Sequence, residues 1–248
     1  KIENYKGLVN IKNICNHCDA IMIDRGDLSA EIGENNLFSA VMDISKISKS
    51  YGKPLIMATE NIDSMITRSS PTKSEIVSLG LSLMLKADRI MLSEETATAK
   101  NWYKILKWLN DFIKINEDNI QRKKINSKKN TDIIWNIVSQ VSNLPIIIFT
   151  RKGFAVEKIL SLNEENQLIV FTDNIKTYTI CEFRSNIKTY LINKFDSSKK
   201  NIHIYNNIKK NKKEIFQNSE EAVLIYISYP RKNSRANSLT LISKYDFK

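Results

Sequence analysis

The chain has 248 residues, 42% hydrophobic and 26% charged, a composition that excludes disorder throughout and suits one large globular domain or two modest ones. With 6 Gly and 4 Pro it is neither collagen-like nor linker-like, no apolar run approaches the roughly 18–20 residues of a membrane span, and its polar opening carries no signal-peptide pattern. Three cysteines make no disulfide scaffold and suit a reducing, cytoplasmic setting; the net charge of +11 is uneven, with 24 of the 38 basic residues but only 14 of the 27 acidic ones beyond residue 110.

Ala20–Ile23 is a short apolar strand that runs into the polar cluster Asp24-Arg25-Gly26-Asp27. Leu37, Val41, Ile44 and Ile47 recur at spacings of three and four, which predicts a helix that stops near Tyr51-Gly52. Pro54–Ala58 is a second strand, ending at Thr59. Thr72 and Glu75 have capping-box spacing and start a helix predicted to run to about Lys86. Arg89–Leu92 is a third strand, ending in Ser93-Glu94-Glu95-Thr96, and a helix covers about 101–118. Residues 119–130 are basic, hold almost nothing apolar and read as a solvated linker.

A second α/β unit begins at 131. Its predicted elements are a helix at about 132–142, the strand Pro145–Phe149, a helix near 154–162, the strand Leu168–Phe171 and a helix at about 175–183. The strand Thr189–Ile192, a helix within the Lys-rich stretch 199–217, and the strands Ala222–Ile227 and Ser238–Ile242 complete it. Alternation of buried strands with helices predicts parallel βαβ units. Each strand of the first part ends in a polar cluster, and (β/α)8 barrels build their sites at that end. Three strands, with whatever ends at Lys1, cannot close such a barrel. A first residue that is Lys rather than Met fits removal of a segment or a piece of a longer chain.

Glu3, Asp24 and Asp27 fall near strand ends or turns, and sites with one or two carboxylates suit Mg2+. Lys1 and Glu3, two apart, share one face of a strand. A cation beside a metal-binding carboxylate suits phosphoryl transfer, whose transition state spreads negative charge over several oxygens; solvated surface charges are the plain alternative. Cys15-Asn16-His17-Cys18 has the spacing of half a zinc site but no second pair, so it reads as two ordinary cysteines on a helix. No aromatic residues interleave with the basic ones, so no nucleic-acid partner is expected; the basic second part reads as compositional bias, and Trp102 and Trp108 as a helix packing face.

Five segments in order, Lys1–Asn4, Asp19–Leu28, Gly52–Thr59, Pro71–Glu75 and Ala87–Ala97, closely resemble pyruvate kinase. Phe149–Gly153, with Phe183-Arg184 and Tyr190, resembles that family's C-terminal domain. The resemblance implies an α/β fold: a partial (β/α)8 TIM barrel, about strands 5–8 (1–118), then a linker (119–130) and a C-terminal α/β domain with a mostly parallel sheet (131–248). It implies a phosphotransferase of glycolysis, converting phosphoenolpyruvate and ADP to pyruvate and ATP as part of a longer chain, with the 248-residue piece alone inactive. It implies Mg2+ or Mn2+, K+ whose ligands would lie upstream, and a homo-oligomer, a tetramer by family. Carried over residue by residue, Lys1 stabilises the phosphoryl group in flight, and Glu3 and Asp27 hold the divalent metal. Gly26 lets substrate approach the backbone, Asp27 and Ser93 line the substrate site, and Thr59 acts near the point of enolate protonation.

The departures from the family pattern are specific. Asp24 replaces a small residue and is expected to be a bystander. Glu94 replaces Gly, Thr98 and Ala99 replace Lys and Gly, Ser78 and Leu81 stand at an Asp and an Asn, and Glu60 stands at a Gln. The C-terminal phosphate loop reads Lys152-Gly153-Phe154-Ala155, without its usual hydroxyls and arginine. These changes keep open an alternative: a catalytically impaired or repurposed binding or regulatory protein on the same scaffold.

Overall fold

The computed structural model describes residues 1–117, 133–162, 166–195, 199–226 and 238–247. The predicted linker, 119–130, lies outside them. The chain divides into two units, Lys1–Arg122 and Lys123–Lys248.

The first unit opens with the short helices α1 (Tyr5–Val9) and α2 (Ile11–His17). Strand β1 (Ile21–Asp24) then leads directly into α3 (Arg25–Ile32) and the long α4 (Glu34–Ser50). Next come β2 (Leu55–Ala58), a 3₁₀ turn (Asp63–Ile66), α5 (Lys73–Met84), β3 (Arg89–Ile90), α6 (Glu94–Ala97) and α7 (Trp102–Glu117). Strands β1, β2 and β3 pair in parallel in chain order, with Ile21 opposite Leu55 and Ile56 opposite Arg89. Ile2 adds a parallel bridge to Ile23, its N–H donating to the Met22 carbonyl at 2.7 Å. These strands form an open sheet and not a closed barrel. The third is shorter than predicted: only Arg89–Ile90 is strand, although Met91 N–H still donates to the Met57 carbonyl at 2.9 Å.

Patterning accounts for the packing. Ile21, Ile23, Leu55 and Met57 are buried, as strands covered on both faces require. Helix α4 covers them with Ala40, Val41 and Ile44, while Leu37 and Ile47 pack at the edge of the same core. It ends at Tyr51-Gly52, where Gly52 takes φ 64°, a conformation that suits glycine. Lys49 on α4 reaches Asp88 at 2.8 Å, and the same carboxylate oxygen accepts the Leu55 N–H at 2.9 Å, tying α4 to the bottom of the sheet. On α7, Ile105 and Leu109 are buried, and Trp108 stacks on Phe112 at 5.3 Å. Trp102 departs from the expected packing face: it is 49% exposed and meets Tyr103 edge-on.

Helix α5 starts with the predicted capping box. Thr72 Oγ1 accepts the Glu75 N–H at 3.2 Å and Glu75 Oε2 accepts the Thr72 N–H at 2.6 Å. Glu75 also accepts the Ser64 N–H at 2.8 Å, as well as the Ser64 hydroxyl.

The second unit has α8 (Ile133–Val138), β4 (Ile146–Phe149), α9 (Phe154–Leu160), β5 (Leu168–Thr172), α10 (Ile175–Glu182) and β6 (Ile187–Leu191). Helices α11 (Lys200–Lys210) and α12 (Lys212–Ile215) and strands β7 (Glu221–Tyr226) and β8 (Ser238–Ser243) follow. Sheet order is β6-β5-β4-β7-β8, parallel except for the antiparallel edge pair β7–β8. The central strands are apolar on both faces, and the period of two sorts them into two cores. Ile146, Ile148, Leu168, Val170, Val223 and Ile225 pack with Trp135, Val156 and Ile159; Ile147, Ile169, Phe171 and Leu224 pack with Ile204, Ile208 and Ile215. A three-layer sandwich results.

Candidate functional site

The C-terminal ends of Ile2, β1 and β2 bring together Lys1, Glu3, Asp24, Asp27 and Thr59. Residue 2 pairs into the sheet, so Lys1 and Glu3 point to one face, and Lys1 Nζ lies 2.6 Å from Glu3 Oε2. The same ammonium is 3.0 Å from Asp24 Oδ2 and 3.5 Å from Asp27 Oδ2. One ligand oxygen from each of Glu3, Asp24 and Asp27 falls within 4.8 Å of the others, the one such acidic group among the described residues. A hard divalent cation such as Mg2+ or Mn2+ takes oxygen donors of this kind, so the set fits the implied metal.

Asp24 is therefore no bystander. It is buried, caps α3 by accepting the Asp27 N–H at 3.3 Å, and accepts the Thr59 hydroxyl at 3.1 Å. Burial alone would push its carboxyl up, but the Lys1 ammonium, the Asp27 N–H and the Thr59 hydroxyl outweigh that and hold it below the usual carboxylate range. Lys1 is shifted the other way. Hydrogen bonds to Glu3 and Asp24 raise it above the ordinary lysine value, so it is a permanent cation.

Thr59 Oγ1 accepts the N–H groups of Arg25 and Gly26 at 3.1 Å each, which fastens the hydroxyl to the start of α3. Its backbone is unusual: Thr59 at φ 60° and Glu60 at φ 48° are consecutive non-glycine residues in the left-handed region. The buried Arg25 side chain supports them, its Nη2 donating to the Glu60 carbonyl and the Asn61 Oδ1 at 2.9 Å each and to the Thr59 carbonyl. Arg25 Nη1 meets Ser78 Oγ at 2.6 Å, and Nε the Ala58 carbonyl at 3.4 Å. Burial lowers the guanidinium from its ordinary value, opposed by the charges of Glu60 and Asp63. The departure at Ser78 thus puts a neutral hydroxyl on this cation.

Ser93 follows β3, at the same end of the parallel sheet. It is exposed at the start of α6, and its N–H donates to Glu95 Oε2 at 2.6 Å. Glu95 is 1% exposed and hydrogen-bonds the Asp63 carboxyl, which burial, that bond and the nearby carboxylates push up to about 6.

Elsewhere, Cys15 is buried and Cys18 half-buried, both as free thiols, and burial raises both. Among the described residues they join no metal-binding group. In the C-terminal loop Gly153 takes φ 77°, Arg151 is exposed and lies 3.5 Å from Asp173, and the Thr177 hydroxyl donates to the Arg151 carbonyl at 2.8 Å. No described helix is long and apolar enough to cross a membrane.

Sequence reasoning named Lys1, Glu3, Asp27, Gly26 and Thr59, which the fold brings together, and Ser93, which follows β3 at the same end of the sheet. It set Asp24 aside, although an Asp at a strand end before Gly is a capping signal. It missed Arg25, whose role depends on carbonyls 33 to 35 positions away.

The family model described as "Pyruvate kinase, barrel domain" matches residues 1–105. The pyruvate kinase of Thermotoga maritima is 29% identical over 185 residues, covering 72% of this chain and 40% of that protein. That of Encephalitozoon cuniculi is 31% identical over 175 residues, covering 71% of this chain and 39% of that one. The chain thus spans about two fifths of the length of these curated relatives. In fold, the crystal structure of a pyruvate kinase from Cryptosporidium parvum matches with a TM-score of 0.78 at 22% identity, covering 98% of this chain and 50% of that chain. The chain belongs to the pyruvate kinase family as a divergent relative.

Proposed function

We propose that this chain supplies the metal and phosphoryl-transfer side of a pyruvate kinase, acting on phosphoenolpyruvate and ADP to give pyruvate and ATP. The observation that carries the reading is Lys1 Nζ held among Glu3, Asp24 and Asp27, with the Thr59 hydroxyl one bond further on. Family resemblance adds K+ and a homo-oligomeric, cytoplasmic enzyme.

Glu3 and Asp27 would hold Mg2+ or Mn2+, with Asp24 as a further oxygen donor. When bound, the metal supplies Lewis-acid polarisation of substrate oxygens and a template for them. Lys1 places a fixed positive charge beside that point, where it stabilises the equatorial oxygens of the group in transfer. The Thr59 hydroxyl oxygen is held by two amide N–H groups, and its proton has two acceptors, the Ala58 carbonyl at 2.7 Å and Asp24 Oδ1 at 3.1 Å, so the oxygen is fixed in place while the proton can be redirected towards an enolate. Gly26, without a side chain, leaves the backbone open to substrate. Ser93 would act only from the mouth of the site.

A second reading, an impaired or repurposed relative, is favoured by two carboxylates at departures from the family pattern: buried Asp24 and exposed Glu94. Pyruvate formation from phosphoenolpyruvate and ADP, with and without Mg2+, by the longer protein of which these 248 residues are expected to be part, separates the two. Metal-dependent turnover lost in both Lys1→Ala and Asp27→Ala supports the enzyme. Absence of turnover from folded protein with any nucleoside diphosphate supports the repurposed scaffold.

A further inference from the structure

The positive charge of the second unit is concentrated in one short stretch: residues 199–217 hold six lysines and one acidic residue, Glu214. That carboxylate is taken from within the chain, by the Tyr190 hydroxyl at 2.7 Å and by Lys188 at 3.2 Å. Ile204, Ile208 and Ile215 bury the inner face of α11 and α12 against the sheet. Their spacings of four and seven keep that face in line across the break at Asn211, so Ile202, Lys209 and Lys213 fall on the outward side, with Tyr205 and Lys210 flanking them. Ile202 is 62% exposed, and Lys209, Lys210 and Lys213 are exposed too. Among the described residues no carboxylate forms an ion pair with any of these three lysines, whereas Lys212 is turned away to the Phe247 carbonyl at 2.9 Å. A helix dipole accounts for lysines in the last turn of α11. It accounts neither for Lys213 beyond that turn nor for an isoleucine left in water two turns before it.

We propose that this face of α11 and α12 is a docking surface for an acidic peptide segment of a partner protein, with one apolar side chain on Ile202 and carboxylates on Lys209, Lys210 and Lys213. Charge complementarity calls for an anionic partner, and two further observations choose among anions. Single-stranded nucleic acid binds by stacking bases on aromatic rings, but the Tyr205 ring is engaged from within the chain, packed on Phe247 at 5.3 Å and lying under the Lys209 ammonium at 5.8 Å. A membrane surface calls for several apolar side chains on one helix face, and this face offers little beyond Ile202. Along the axis Ile202 lies about 10 Å from Lys209 and about 16 Å from Lys213. An extended segment bound alongside therefore carries its carboxylates about three to five residues beyond its apolar residue. The surface belongs to the second unit, and the inference does not depend on the catalytic reading of the first.

The test uses a fluorescent peptide of one leucine, two serines and three glutamates, in that order. Its binding to the longer protein of which these 248 residues are expected to be part is followed by anisotropy. A Kd on the order of 100 µM is expected, weakening about fivefold or more as salt rises from about 50 to 300 mM. Reversing two charges, Lys209→Glu with Lys213→Glu, should weaken binding about tenfold or more, and Ile202→Ser about threefold. A peptide with serine in place of leucine should bind wild type and Ile202→Ser alike. Should the double reversal unfold the protein, Lys213→Gln alone, expected to weaken binding about threefold, decides in its place. No binding at millimolar peptide, or binding unchanged by the lysine variants, would overturn the proposal. Binding that ignores Ile202→Ser would overturn the apolar anchor. Tighter binding of a uridine oligonucleotide, or of vesicles containing phosphatidylserine, lost in the same lysine variants, would also overturn it by assigning the face to nucleic acid or to membrane.

Discussion

Arg25 Nη2 lies 2.9 Å from the carbonyl oxygen of Glu60, and this bond braces the turn from which the Thr59 hydroxyl projects. Two successive left-handed residues cost about 1–2 kcal/mol each. The guanidinium offsets that cost by binding the carbonyls of both, with Asn61 and Ser78 taking further donors. Arg25→Met is expected to destabilise the protein by about 3 kcal/mol in urea unfolding. Arg25→Lys should recover less than half of that, because an ammonium cannot reproduce the planar fork. A lysine variant as stable as wild type would refute the bracing role.

Lys1 is the single ammonium on the acidic group among the described contacts, and it is charged at any working pH. If it stabilises the transferred phosphoryl group, Lys1→Ala should lower kcat by about 10²–10³ with a smaller change in KM. Lys1→Arg should restore part of the loss. Near-wild-type turnover in Lys1→Ala would remove the residue from the mechanism.

Removal of metal provides a separate check. Chelation should abolish turnover and Mn2+ should restore it, with Asp27→Ala and Glu3→Gln each weakening Mn2+ by about tenfold. Because the ligand oxygens lie within 4.8 Å of one another, loss of any one should be felt by the ion. Equal Mn2+ affinity in wild type and Asp27→Ala would place the metal elsewhere.

The Asp63–Glu95 contact makes stability depend on pH. Asp63 is pushed up to about 6 from 3.8, so the folded state holds a proton that the unfolded chain releases. Its contribution is fully present below about pH 4 and is lost as pH rises through 6, so this group makes the protein less stable at pH 8 than at pH 5. Asp63 is itself exposed, and the effect is correspondingly screened. Asp63→Asn should flatten the pH profile between 4 and 7 and stabilise at pH 8 by about 1 kcal/mol. An unchanged melting profile across that range would show that the two carboxyl groups do not share a proton.

Much of the fold was legible because its signals are local. Apolar four-residue strands, the stripe Leu37-Val41-Ile44-Ile47 and the Thr72–Glu75 capping box each need only a short window of sequence. The grouping of Lys1 with Glu3 follows from a period of two, and that of Asp27 with them from the rule that parallel strands carry their sites at one end. What escaped was non-local or electrostatic. Arg25 takes its meaning from a turn more than 30 residues away, and Asp24 from the three partners that outweigh its burial. The two-residue β3 is shorter than its pattern predicts, although Met91-Leu92 is at least as apolar as Arg89-Ile90 and the Met91 N–H still bonds the Met57 carbonyl of β2.

Glu75 has a consequence for the connectivity of the chain. Its carboxylate holds Ser64 at one end of an exposed segment and Thr72 at the other, so the residues between, with Arg68 at their tip, form a loop whose ends are already clasped. Cutting the backbone after Arg68 would sever the chain without separating those ends. A trypsin-nicked protein should therefore keep α5 docked and remain one folded body under native conditions. The same cut in Glu75→Ala should leave a less stable nicked protein, held by the β2–β3 pairing and by contacts such as Lys49–Asp88 and Arg25–Ser78.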